Sequence, residues 1–118
     1  MIKRYKRYKK TAEKVINETV GFFSSIYEVK IKRISIRNQK TRWGSCSKRG
    51  NLNFNYKLVF LPEELRNYVI VHEICHILEF NHSTRFWYQV SRTFPNYKEL
   101  RKKLRKTPIS KKMILKLD

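Results

Sequence analysis

Acid is what this sequence lacks. Nine Asp and Glu stand against 28 Lys and Arg, a formal charge of +19 and a pI near 10.3. Such a balance predicts attraction to polyanions, because lysine and arginine release counterions from phosphates without reading any sequence. Fifteen of the 28 cations lie at the ends, six within Met1 to Lys10 and nine between Lys98 and Lys116. Solvated basic faces are the plain alternative, and non-specific DNA or RNA binding through the basic ends is the sharper one.

Cysteine is nearly absent as well. Cys46 and Cys75 cannot make a disulfide framework, and neither belongs to a C-x-x-C pair, so both are expected as reduced packing thiols. Long apolar runs are missing too: Leu58 to Leu61 and Tyr68 to Val71 are far short of the ~20 residues that cross a bilayer. The basic start is followed by TAEKVINETV, with no apolar stretch or small-residue cleavage site, so no membrane association and a cytoplasmic location are expected. There is no internal repeat and no low-complexity linker. At 118 residues and 41% hydrophobic, the chain is expected to form a single domain over residues 1–118, with a core from about 8 to 106 and basic ends. Oligomeric state is not legible.

Ala12, Val15, Ile16 and Val20 recur at helical spacing, predicting an amphipathic helix from about Tyr8 to Phe22 that ends near Gly21. Ile31 to Arg37 alternates as a half-buried strand does. Thr41 to Ser47 and Asn51 to Tyr56 flank Lys48-Arg49-Gly50 as a hairpin, with Gly50 suited to positive φ. In the second arm Leu52, Phe54 and Tyr56 point one way, while Asn51, Asn53 and Asn55 point toward solvent or a ligand. Pro62, Glu63 and Glu64 open a helix that meets no breaker before Leu78 and is apolar almost all round, hence central. Ser83 suits the cap of a short helix carrying Phe86, Trp87 and Val90, and a third helix follows Pro95 from about Asn96 to Lys106. The last ten residues carry no assignable pattern.

All three histidines fall within HEICHILEFNH, residues 72–82. On a helix His72 and His76 lie one turn apart on the same side, near enough to bind one ion. Glu73 lies at the edge of that surface, where its carboxylate addresses a water on the ion rather than the ion itself. A third ligand cannot come from the same straight helix, since six residues further on is a rotation of roughly 240° and a rise of roughly 9 Å. The chain has to turn back, with Asn81 as a hinge tolerant of left-handed φ, to deliver His82. Three imidazoles and a water make an open zinc (Zn2+) site of the catalytic kind, in which the water's pKa falls toward ~7 and Glu73 takes its proton. The water then attacks a carbonyl, and Glu73 returns the proton to the leaving amine. Chance spacing and hydrogen-bonded buried histidines are the alternative. Against it, an apolar helix gains nothing from burying His72, Glu73 and His76 together unless an ion compensates them.

TRWGSCSKRGNLNFN and VHEICHILEFNHSTRFW together resemble the YgjP-like metallopeptidase domain, which is related to the SprT and WLM zinc proteases. The resemblance covers roughly Ile31 to Tyr97. It implies His72, His76 and His82 as zinc ligands and Glu73 as general acid and base. It also implies a minimal zincin-like α+β fold, with a small antiparallel β-sheet packed against a central active-site helix and flanking helices. The metzincin glycine three residues after the second histidine is replaced by Glu79, and no methionine turn follows His82.

The implied function is a zinc metallopeptidase acting on a protein or peptide substrate, including proteins bound to nucleic acid. A strand, Trp43 to Ser47 or Asn51 to Asn55, is expected to pair with extended substrate. Trp43, Phe86 and Trp87 are expected to pack in the core, and Arg42 and Tyr88 are weak candidates for oxyanion donors. Two alternatives stand beside this reading. One is a metal-dependent endoribonuclease using the same three histidines, whose motif does not normally carry glutamate after the first. The other is a non-enzymatic nucleic-acid-binding module, whose structural zinc needs a fourth protein ligand that only Cys46 or Cys75 can supply.

Overall fold

Ala12, Ile16, Val20, Phe23 and Tyr27 follow one another at intervals of three or four residues, and all are buried. They form the inner stripe of helix α1 (Ile2–Tyr27) in a computed structural model that describes residues 2–109. The helix is longer than its sequence pattern predicted at both ends. Gly21 costs about 1 kcal/mol in a helix interior, too little to stop a helix that still has Phe23 and Tyr27 to bury. Termination falls instead at Glu28, which takes φ 54°. At the other end Tyr5 anchors the basic first turns, its hydroxyl donating to the Ile36 carbonyl at 3.1 Å.

Three short strands follow: β1 (Arg33–Arg37), β2 (Gly44–Cys46) and β3 (Asn51–Asn55). The expected hairpin is present, with Gly50 at φ 87° and Ser45 opposite Asn53. The sheet is mixed rather than wholly antiparallel, because β1 runs parallel to β3, with Ile34 opposite Leu52 and Ile36 opposite Phe54. The order is β1-β3-β2. Leu52 and Phe54 are fully buried, as the alternation predicts. Asn55 departs from it, since it too is fully buried. Its amide donates to the carbonyls of Gln39 (2.8 Å) and Arg42 (3.1 Å), and its oxygen accepts from the Lys57 amide at 3.0 Å. Those bonds tie down the loop that leads into β2, so this asparagine serves the fold rather than a ligand.

A 3-10 turn (Tyr56–Phe60) leads to Pro62 and helix α2 (Glu63–Leu78), in which every residue from Tyr68 to His76 is buried. A helix buried on all sides has to be the centre of the molecule, and α1, the sheet and two further helices surround it. These are α3 (Thr84–Ser91) and α4 (Tyr97–Arg105). Ser83 caps α3, accepting from the Phe86 amide at 3.3 Å. The Tyr27 hydroxyl donates to the Gln89 carbonyl at 2.6 Å and shares a 2.7 Å hydrogen bond with Thr93, joining the end of α1 to α3. No helix of the described residues is long and apolar enough to cross a membrane. Residues 110–118, for which the sequence offered no pattern, lie outside the described residues.

Candidate metal centre

His72 and His76 project from the middle of α2, 1% and 5% exposed, while His82 comes from the exposed segment between α2 and α3. The chain reverses there without the left-handed Asn81 that the sequence suggested, for Glu28 is the one non-glycine at positive φ among the described residues. Glu79 ends the helix by turning extended (φ −140°, ψ 99°), a conformation open to any residue. No glycine is needed at that position. The next residue is equally specific in effect: the Phe80 carbonyl lies 2.6 Å from His76 Nδ1. A carbonyl only accepts, so Nδ1 carries the proton and Nε2 keeps its lone pair for an ion.

The three rings converge through Nε2. His82 Nε2 is 3.0 Å from His76 Nε2 and 3.3 Å from His72 Nε2, and the ligand atoms of all three fall within 4.8 Å of one another. Nitrogens ~2.0–2.1 Å from a single tetrahedral ion are about 3.3 Å apart. The donor set therefore fits one divalent cation of zinc size. Phe86 holds the constellation from below: it stacks on His76 (4.4 Å, 27°) and meets His72 and His82 at 4.9 Å each. The sequence marked Phe86 only as core, and its buried ring also fixes the spacing of all three imidazoles. Trp87 lines the outer side, 5.8 Å from His72 and 5.6 Å from His82.

Glu73 is fully buried beneath β2. A Cβ on Gly44 would stand 3.2 Å from Glu73 Cγ, 3.2 Å from the Asn53 carbonyl and 3.1 Å from the Phe54 ring. Gly44, unremarked in the sequence beyond its motif, thus lets the strand close directly over the carboxylate. A cavity of about 190 Å³ opens beside the histidines, lined by Cys46, His76, Phe80, Asn81 and His82. Cys75 faces away from it and is fully buried, where burial pushes its thiol up to about 12. Tyr68, one turn before His72, is likewise raised well above the usual phenol range by burial, against the opposing pull of the Arg101 and Arg105 guanidiniums. Of the two oxyanion candidates, Tyr88 stands 64% exposed on α3 and Arg42 is exposed on the loop before β2.

Comparison with known proteins finds this fold elsewhere. The metallopeptidase zymogen abylysin of Pyrococcus abyssi has the same fold, with a TM-score of 0.69 at 24% identity over 77% of this chain and 92% of that one. The metallopeptidase zymogen jannalysin of Methanocaldococcus jannaschii matches with a TM-score of 0.60 at 28% identity, over 78% of this chain and 91% of its own. A comparison with curated proteins gives no match. The YgjP-like metallopeptidase domain matches residues 3–107, nearly the whole described chain, and the protein belongs to that family of peptidases.

Proposed function

We propose that the protein is a zinc-dependent peptidase in which His72, His76 and His82 hold the metal and Glu73 moves the proton. The observation that carries this reading is the convergence of three Nε2 atoms at 3.0 and 3.3 Å beside a buried glutamate on the same helix. Zinc, when bound, lowers the pKa of a water and polarises the scissile carbonyl. What the chain itself contributes is position. Helix α2 sets two imidazoles one turn apart, the Phe80 carbonyl fixes the His76 tautomer, and Phe86 keeps the rings from parting. Glu73, pinned under Gly44, accepts the proton of the attacking water and hands it to the leaving nitrogen, so no covalent enzyme intermediate forms.

Substrate enters along β2. Asn51–Asn55 is the central strand with a neighbour on each side, whereas β2, which lies within Trp43 to Ser47, is an edge strand that directly overlies Glu73. An extended peptide adding to that edge brings its backbone across the histidines. The nuclease alternative leaves Glu73 without a task, and the family is one of peptidases.

The experiment compares the native chain with Glu73→Gln in zinc content, casein cleavage, RNA cleavage and retention on DNA. Glu73→Gln is expected to keep its zinc and lose at least about 10²–10⁴-fold in proteolysis. Retained proteolysis refutes the role of Glu73, and RNA cleavage without proteolysis refutes the peptidase reading. DNA retention unchanged by the substitution would place any nucleic-acid-bound substrate on the basic surface rather than at the metal.

A further inference from the structure

One wall of the site carries cations with almost nothing to neutralise them. From Phe80 to Leu117 the sequence has a single acidic residue, Glu99, so after Glu79 at the start of the loop bearing His82, helix α3 and helix α4 offer no other carboxylate. On α4, residues advance by about 100° each, and the buried Leu100 and Leu104 divide the helix into two flanks. Glu99 lies on one flank with Lys103, whose ammonium holds it at 3.3 Å. Tyr97, Arg101 and Arg105 form a stripe down the other, with Lys98 and Lys102 beside it. That second flank faces the histidines. Tyr97 stacks on Trp87 (4.9 Å, 16°), and the Arg101 guanidinium rests over the same indole at 5.0 Å. The indole in turn borders His72 and His82 at 5.8 and 5.6 Å. Arg101 is exposed, yet only one aromatic ring separates it from the ligand set.

We propose that Arg101, set over the Trp87 ring with Arg105 one turn further along the same flank, forms a subsite for an acidic side chain close to the scissile bond, so that acidic peptide segments are the preferred substrates. The inference rests on the peptidase reading above and adds the substrate class to it. Contact with the indole holds the guanidinium beside the site, and its forked N–H groups suit a carboxylate better than a lysine ammonium does. A residue of extended peptide advances ~3.3 Å, so a side chain a few residues from the cleaved bond spans the width of Trp87. A nucleic-acid phosphate offers the same charge and is one outcome of the test below. The position beside the histidines favours a peptide.

The test uses fluorogenic peptides identical except for Glu or Gln at each of four positions around the cleaved bond. They are assayed with the zinc-loaded native protein, Arg101→Gln and Arg101→Lys. At one position the Glu peptide is expected to exceed its Gln partner about tenfold in kcat/KM. Arg101→Gln should bring the two to parity without changing the Gln peptide, and Arg101→Lys should restore part of the preference. Binding of the same peptides, followed by tryptophan emission, gives a readout that needs no turnover. Equal binding of Glu and Gln peptides, or an equal loss of both in Arg101→Gln, overturns the proposal. If no peptide is cleaved, the peptidase reading fails while the binding comparison still decides this one. An Arg101→Gln protein that releases a DNA oligonucleotide but keeps the Glu preference also overturns it, assigning the stripe to nucleic acid.

Discussion

Two of the three histidines stand on a rigid buried helix and the third on a five-residue segment exposed from Phe80 onward, and the two placements are held in different ways. His72 and His76 need only helical spacing, because the surrounding core of α2 immobilises both rings. His82 has no such core. Its place is set by an extended Glu79, by the cap at Ser83 and by the Phe86 ring beneath it. The two proposed helical ligands are thus held by packing, and the proposed loop ligand by local bonds that each contribute little. Removing one ligand of each kind should separate the two strategies.

The largest effect is expected for His76→Ala. It empties a buried site and abandons the Phe80 carbonyl, so the metal-free protein should lose about 2–4 kcal/mol in chemical denaturation. His82→Ala, at an exposed position, should stay within about 0.5 kcal/mol of the native metal-free protein. Added zinc is expected to raise the melting temperature of the native chain and of neither variant. Equal metal-free stability of the two variants would break the contrast between core-held and loop-held ligands.

The next effect concerns how α3, and with it Phe86, is held against the rest. Tyr27 reaches from α1 to Gln89 and Thr93, with Cys75 of α2 beside it, and burial pushes both the phenol and the thiol up to about 12. Each group is neutral when protonated, so the folded state retains a proton that the unfolded chain releases from pH 9 to 10 upward. The stabilisation is complete below that range and is lost as pH rises toward 12. Denaturation of the metal-free protein should show stability falling by more than about 1 kcal/mol per pH unit above pH 10. Tyr27→Phe should flatten that slope and cost about 1 kcal/mol at pH 7. A slope unchanged by Tyr27→Phe would remove the tyrosine from this role.

Much of the helical half of this contrast was legible in the sequence, and much of the loop half was not. The periodic apolar residues of α2 and the spacing of its histidines carry their own geometry, since both follow from 3.6 residues per turn. Ser83 was legible as a cap for a similarly local reason. The parallel pairing of β1 with β3 was not, because it joins segments far apart along the chain and leaves no turn signal between them. Nor was the hinge. Asn81 tolerates a left-handed backbone, but the turn was achieved by an extended Glu79, a conformation that no residue type announces. Phe86 and Gly44 were visible as a core ring and a motif glycine. Their service to the histidines and to Glu73 depends on which elements meet in space, and spacing along one helix is silent on that.

The smallest effect probes the loop ligand most directly. Ser83 accepts from the Phe86 amide, so one hydrogen bond links the residue after His82 to the residue whose ring supports it. Ser83→Ala removes that acceptor and should cost about 1 kcal/mol of stability. If the loss falls on the loop rather than on the whole fold, the zinc-binding constant should drop about fivefold, since fixing His82 then costs correspondingly more on binding. Ser83→Asp, which keeps an acceptor at the cap, should restore stability and affinity together. An affinity loss in Ser83→Ala with unchanged stability would mean that the serine acts on the metal site by some route other than the cap. Unchanged affinity in the face of lost stability would show that Phe86 alone suffices to place the third histidine.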